Sequence, residues 1–434
     1  MTEYVSVGPA RHEPVVDVAA EDHSHRRIWW WLLLVGPGLM VMLADSDAGS
    51  VITAAQSGAQ YRYQLVACQL ALIPILYVVQ EITVRLGLVT GRGHGALIRS
   101  VFGLPWGLVS AVTLFVACVG ALITEFAGLA GVGELIGLPR IASIGAPTLA
   151  LVGLVLAGRY RRVELVGITI GALELLFIPA AIIARPDPHA LLSGLAHPVT
   201  FSAPYLTLLA ANVGAVIMPW MVFYQQGAVI DKDKRGLGLP RALRAARLDT
   251  ALGAVATQLV MIAVVVAIAA TIGTAQPGAS LNTVGDIATG LIPFFGRDAA
   301  IWLFGLGMIG ASVVAALVVA LAGAWGLSEV LGWRHSLNDS PNCAVGFYTL
   351  AVVGTLIGAV LVLVWPNLVQ LSVEVEVMNA CLLPIVLGFL LALERKALPE
   401  RLRMRGAWRV VTYLLSGLVI VLGLYTIVQT FIGG

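Results

Sequence analysis

Charge is what this chain has least of. Asp, Glu, Lys and Arg make up 12% of its 434 residues, about half of the roughly 25% usual in a soluble domain. The 26 basic and 24 acidic residues leave a net charge of only +2, which gives no basic surface for a nucleic-acid or acidic-polymer partner. Cysteine is scarce too. Cys68, Cys118 and Cys381 fall inside apolar stretches and Cys343 lies beside one. No C-x-x-C or Cys/His pattern joins them, so they read as small buried hydrophobes. The seven histidines read as lying in the N-terminal tail and in loops. No HExxH, no phosphate-binding loop and no paired nucleophile and base occur, so no enzyme and no cofactor are expected.

Apolar residues fill the space that charge leaves. They account for 59% of the chain, its mean hydropathy is +0.92, and runs of about twenty of them recur from Trp29 onward, the length that crosses a bilayer as a helix. Eleven spans are expected, at 29–58, 64–88, 105–136, 142–158, 163–184, 203–229, 248–273, 297–331, 344–365, 367–393 and 408–431. Residues 1–27 read as a polar cytoplasmic tail with no cleavable signal peptide before the first span. Trp29 to Trp31, beside Arg26 and Arg27, read as interfacial anchors. Two polar loops, "DKDKRGLGLPRALRAAR" and "ERKALPERLRMRGAWR", are candidates for short helices lying on the membrane surface. Placing the N-terminus inside puts all of the 26 Lys and Arg on the cytoplasmic side except Arg62, Arg140, Arg185 and Arg297. That is the positive-inside pattern, and it leaves the C-terminus outside a multi-pass cell-membrane protein.

Two spans are interrupted. The first carries "GPG" and then "DSDAGS"; the sixth carries "ANVGAVIMPWMVFYQQGA", where Pro219 cannot donate its backbone N–H and Gly214 loosens the turn before it. Interrupted helices at corresponding positions of two halves are the mark of an inverted-repeat transporter with a midplane site. The halves would be 28–184 (spans 1–5) and 203–393 (spans 6–10), with 408–431 added as an eleventh span. Ordinary packing kinks are the alternative reading, since Gly and Pro are common in membrane helices. Asp47, the Ser50 hydroxyl, the Ala215 carbonyl and the Met218 thioether would together offer a cation a mixed hard and soft ligand set. Oxygen donors accept Mg2+ or Mn2+, and a thioether favours the softer ions. Met218 is equally readable as apolar filler.

These motifs carry a family resemblance. "GPGLMVMLADSDAGSVITAAQSGAQYRYQL" resembles the first span of the Nramp divalent-metal transporters, and "GAVIMPWM" is similar to their sixth-span pattern Gly-Ala-x-x-Met-Pro-His-Asn. "VRLGLVTGRG", "RRVE" and "FGLGMIGASVVAALVVALAGAWGLSEVLGW" follow in the same order. The resemblance implies an all-α membrane protein of LeuT-type inverted-repeat architecture, five plus five helices with an eleventh. It also implies a divalent cation held by Asp47, the Asn position (here Ser50), Ala215 and Met218. Departures cluster at the same site. Ser50 replaces Asn and Ala48 replaces Pro, while Trp220 and Gln225 stand where the family has His. Gly128 replaces the partner of the span-3 acid Glu125, and the span-9 Arg has no counterpart in "NCAVGFYTLAVVG". Asp45 adds a carboxylate before Asp47, and Glu376 stands where the family has Gln, with Glu374 two residues before it. Titratable equipment for protons is therefore reduced while acid is increased, a pattern resembling the Nramp-related branch linked to Mg2+. Met218 pulls instead towards Mn2+.

The function expected is import of Mn2+ and/or Mg2+ across the lipid bilayer by alternating access, with weak or absent proton coupling. Asp45, Glu125, Trp220, Gln225 and Glu376 would form a second layer or an ion path. An organic cation or metal chelate on the same fold, with Trp220 shaping a larger pocket, is the alternative; a channel or a non-transporting sensor is a third class, disfavoured because a pore wants repeated polar rings. Of the remaining acids, Glu164 and Glu329 read as locally ion-paired. Glu174, mid-span without a motif, reads as paired inside the bundle. Gln225 and Gln226 also fit simple hydrogen bonds to a neighbouring helix.

Overall fold

The computed structural model describes residues 36–157, 160–197, 200, 202–233, 238–365 and 367–432. The expected tail and its tryptophan anchors lie outside them. Every element among the described residues is helical. The first interrupted span is two helices, α1 (Pro37–Asp45) and α2 (Ala48–Tyr61), followed by α3 (Val66–Thr90), a connecting α4 (His94–Phe102), α5 (Leu104–Leu135) and α6 (Arg140–Leu156). Next come α7 (Tyr160–Gly171), α8 (Phe177–Ile183) and the short α9 (Pro188–Leu195). The second interrupted span is α10 (Ala203–Val216) and α11 (Pro219–Asp233). Beyond it run α12 (Leu239–Ala270), the one-turn α13 (Ile272–Ala275), α14 (Val284–Phe295), α15 (Arg297–Leu331), α16 (Val345–Val364), α17 (Leu368–Ala397) and α18 (Gly406–Ile432).

Nine segments among the described residues are long and apolar enough to cross a membrane. The other two expected spans are the broken α1–α2 pair and the 17-residue α6. Lipid-facing surface is evident from apolar side chains left uncovered along one face of α18, Leu414, Leu418 and Val421 each being more than 60% exposed, a pattern that water would penalise and hydrocarbon does not. Inside, glycines let helices approach closely, as membrane packing requires. A side chain at Gly326 would strike Leu114 of α5, and one at Gly58 would strike the Val265 carbonyl of α12.

The structure departs from the sequence reading in several places. The fifth span is not continuous: a 3-10 stretch, Ala172–Leu176, separates α7 from α8. The apolar α14 falls in what reads as a loop, and a Thr283–Asp286 capping box starts it. Among the described residues neither polar loop makes a separate surface helix. In the first, Asp231 to Asp233 end α11 and Leu239 already opens α12. The second folds back, with one 3-10 turn at Glu400–Leu402. There the Met404 N–H donates to Glu394 at 2.6 Å and Arg85 donates to the Leu402 carbonyl at 2.8 Å. Cys343 is exposed, unlike the buried Cys118.

Candidate metal site at the two helix breaks

Both breaks have local causes. Helix α1 ends where Asp45, Ser46 and Asp47 follow one another, residues whose side chains compete for backbone hydrogen bonds. Asp47 is extended (φ −66°, ψ 175°) and becomes the N-cap of α2, its Oδ1 accepting the Ser50 N–H at 2.7 Å. In the second break α10 stops at Ile217 (φ −121°, ψ 78°), and Pro219, which needs no N–H partner at a first helical position, opens α11.

The two breaks meet. The Ser50 hydroxyl donates to the Ala215 carbonyl at 2.8 Å, joining two of the residues expected to face a cation. Asp47 Oδ2 has no protein partner among the described residues. Met218 is fully buried, and its sulfur accepts the Trp220 indole N–H at 3.1 Å. Glu125 Oε2 accepts the Ala48 N–H at 3.2 Å, which ties α5 to the first turn of α2. Glu376 of α17 accepts from Asn379 at 2.9 Å through one oxygen, and its other oxygen is free of protein partners. That free oxygen lies against Gly49, where any side chain would collide with it. Asp45 accepts a long bond, 3.4 Å, from the Thr257 hydroxyl, which also bonds Ser46 at 2.6 Å. Among the described residues no Lys or Arg pairs with Asp45, Asp47, Glu125 or Glu376, and no three Asp, Glu, His or Cys side chains converge tightly enough to hold a metal alone. A cation here would need the carbonyl, hydroxyl or thioether donors as well.

Two of the sequence departures touch each other. A side chain at Gly128 would run into the Ala48 Cβ and the Ser312 hydroxyl. Helix α5 therefore packs against the start of α2 too closely for an acid at 128. Gln225 points to α12, its amide donating to Thr250 at 3.0 Å, and Gln226 donates to the Arg92 carbonyl at 2.8 Å and bonds His94. Both agree with the helix-bonding reading. Glu164 is ion-paired, but with the distant Lys232 at 3.1 Å. Glu329 instead accepts the Gly95 N–H at 2.9 Å, capping α4. Glu174 has no partner on either oxygen among the described residues, against the expectation of pairing.

Asp249 was not singled out from the sequence. It accepts the N–H groups of Gly36, Gly38 and Leu39 at 3.2, 2.8 and 3.0 Å, serving as the missing cap of α1, whose own N-cap Gly36 has no side chain to offer. The "GPG" motif is thus a docking point rather than the break: side chains at Gly36 or Gly38 would collide with the Asp249 carboxylate. The one acid of α12, two residues after the last of its three arginines, was the available signal.

A family profile described as natural resistance-associated macrophage protein-like, Nramp, matches residues 38–429. The divalent metal cation transporter MntH of Chromohalobacter salexigens is 30% identical over 320 residues, 71% of this chain and 73% of that protein. Its namesake from Acidiphilium cryptum is 26% identical over 433 residues, 96% of this chain and 95% of that one. The fold is shared with the manganese transporter of Eremococcus coleocola in complex with an aromatic bis-isothiourea compound, at a TM-score of 0.73 and 18% identity, covering 96% of this chain and 92% of that one. A profile spanning nearly every described residue and a 30%-identical relative matched over 71% of this chain lead to one placement: this chain belongs to the Nramp family.

Proposed function

We propose that the protein carries a divalent cation, Mn2+ and/or Mg2+, across the cell membrane by alternating access, with weak or absent proton coupling. The single observation that carries this is the meeting of the two breaks. Asp47 caps α2 with one oxygen free, and Ser50 reaches the Ala215 carbonyl across to α10 at 2.8 Å. An unwound, oxygen-rich, negatively charged point at the junction of two half-helices suits a cation, because half-helix carbonyls add partial negative charge to the carboxylate. In this reading Asp47, Ser50, Ala215 and Met218 hold the ion. Bond exchange then explains binding: the Ser50 hydroxyl and Ala215 carbonyl leave each other and turn to the metal. Asp45, Glu125 and Glu376 supply outlying negative charge. The two halves, 28–184 and 203–393, move against each other around the breaks, the N-terminus lies in the cytoplasm and the C-terminus outside. Metal names come from relatives called divalent metal cation and manganese transporters. Mg2+ and weak coupling rest on the residue departures alone.

Purified protein should be stabilised against heat by Mn2+ or Mg2+, and Asp47→Ala should abolish both that shift and uptake into proteoliposomes while folding normally. Wild-type uptake in Asp47→Ala rules out the ligand assignment. Stabilisation by an organic cation with no response to either metal favours the alternative substrate class.

A further inference from the structure

The second polar loop joins α17 to α18, two helices that are each long and apolar enough to cross a membrane. Its place is therefore the membrane boundary. Residues 395–409 carry six cations, Arg395, Lys396, Arg401, Arg403, Arg405 and Arg409, against one acid, Glu400. All six are exposed except the half-covered Arg403. Among the described residues none of them pairs with a carboxylate. The neighbouring acids are already engaged elsewhere. Glu394 is buried and accepts the Met404 N–H, and Glu81 is buried and paired with Arg85 and Arg247.

A positive-inside bias asks only for the sign of the charge, and a slack loop would satisfy it. This loop is fixed. Arg403 Nε donates to the Leu398 carbonyl at 2.8 Å, Arg405 donates to the Glu400 carbonyl at 2.8 Å, and Arg85 of α3 holds the Leu402 carbonyl at 2.8 Å. These bonds fold 398–405 into a compact turn and leave Arg395, Arg401 and Arg409 with no protein partner. Aromatic rings flank it. The Lys396 ammonium lies 4.6 Å from the centre of the Phe102 ring, and the exposed Trp408 meets Tyr77 edge-on, ring centres 6.2 Å apart. Tryptophan in such a place belongs at headgroup level.

We propose that this turn and the two helix ends beside it bind the headgroups of anionic phospholipids. A phosphodiester accepts paired N–H groups from a guanidinium, and supplies the partner that the six cations lack in the protein. The ligand is a charged plane rather than a single ion. Cations spread along a turn at its edge therefore all contribute, without having to converge on one point. Position selects lipid over a soluble anion, because the turn hangs between two membrane-crossing helices with Trp408 beside it. The proposal goes beyond the metal-transport reading and shares no residue with the site at the helix breaks.

The test uses the full chain in neutral detergent, titrated with mixed micelles of phosphatidylglycerol or of phosphatidylcholine, with melting temperature as the readout. Phosphatidylglycerol should raise it, phosphatidylcholine should not, and the rise should shrink in high salt. Arg401→Gln alone should raise the half-saturating phosphatidylglycerol concentration roughly fivefold, the equivalent of about 1 kcal/mol per surface cation. Arg395→Gln, Arg401→Gln and Arg409→Gln together should abolish the rise, and the corresponding three Lys substitutions should keep most of it. Arg297→Gln, in a different loop, should leave it intact. The triple Gln variant should keep its stabilisation by Mn2+ or Mg2+, which shows that it is folded and separates this surface from the metal site. Equal effects of the two lipids overturn the proposal, as does a rise that survives the triple Gln variant. Stabilisation by inorganic phosphate that matches phosphatidylglycerol also overturns it, and makes the turn a site for a soluble anion.

Discussion

At the scale of single residues, the softness of the proposed metal site turns on Met218 and Trp220. The indole N–H of Trp220 donates to the Met218 sulfur at 3.1 Å, so one of the electron pairs a soft metal would use is already engaged. The donors left free are carboxylate oxygens, on Asp47, Glu376 and Asp45, and these are hard. Met218→Ala should weaken Cd2+ and Mn2+ binding far more than Mg2+; equal losses for all three ions mean that Met218 is packing. Trp220→Phe removes the N–H and keeps an aromatic ring. It should tighten Cd2+ roughly three- to tenfold, the equivalent of one ordinary hydrogen bond released from competition. The gain should vanish when Met218→Ala is added. A Cd2+ to Mg2+ preference unmoved by Trp220→Phe removes Trp220 from the selectivity argument. The Asp47, Ser50 and Ala215 positions were legible from sequence because helix-breaking residues announce an unwound segment. Asp249 and Thr257 were not, because what they do depends on which residues of α1 they face across the bundle, and an isolated helix carries no sign of that.

At the scale of elements, the half-helix α1 is nine residues long and is held at its start by another helix. Asp249 holds it through three backbone N–H bonds, aided by the positive pole of the helix start. Bonds to a charged group contribute about 1.5–3 kcal/mol each when one partner is lost. Asp249→Ala should therefore release α1 locally without unfolding the bundle. Amides of 37–45 should exchange with solvent at least tenfold faster, on the rule that about 1.4 kcal/mol is a factor of ten, while those of α5 and α15 stay protected. Unchanged exchange in 37–45 means that α1 is held by its apolar packing, through Met40 and Met42, and not by its cap. The element boundaries that sequence reading missed share a cause. In both the Glu174 3-10 stretch and the apolar α14, Gly and Pro are ambiguous signals: Gly171 at the start of the 3-10 stretch is of a kind common inside membrane helices, while Gly285, Gly290 and Pro293 inside α14 read as loop.

At the scale of the whole molecule, the question is what balances the buried negative charge when an ion moves. Asp45, Asp47, Glu125, Glu174 and Glu376 are all fully or almost fully buried around the first break, and a divalent ion offsets only two of them. Protons are the usual remainder in a proton-coupled carrier, but the imidazoles that would deliver them are absent from the site. By the family resemblance Trp220 and Gln225 stand at those positions, and Gln225 is tied to Thr250. Gly128 leaves no room for an acid partner to Glu125. His94, the histidine buried in the described helices, lies in the connecting α4 against Gln226, and burial holds its imidazole down at about 4. It stays neutral at any pH the two sides of a membrane normally present, so it takes up no proton on one side to give to the other. Metal movement should then proceed without stoichiometric proton flux. Proteoliposomes loaded with a pH-sensitive dye and given Mn2+ or Mg2+ outside, under an inward-negative potential, should take up metal with little internal acidification. Acidification that tracks metal entry at a fixed ratio overturns this. It makes Glu125 or Glu376 the proton carrier, because those carboxylates touch the Ala48 and Gly49 turn at the mouth of α2 and would feel the metal arrive.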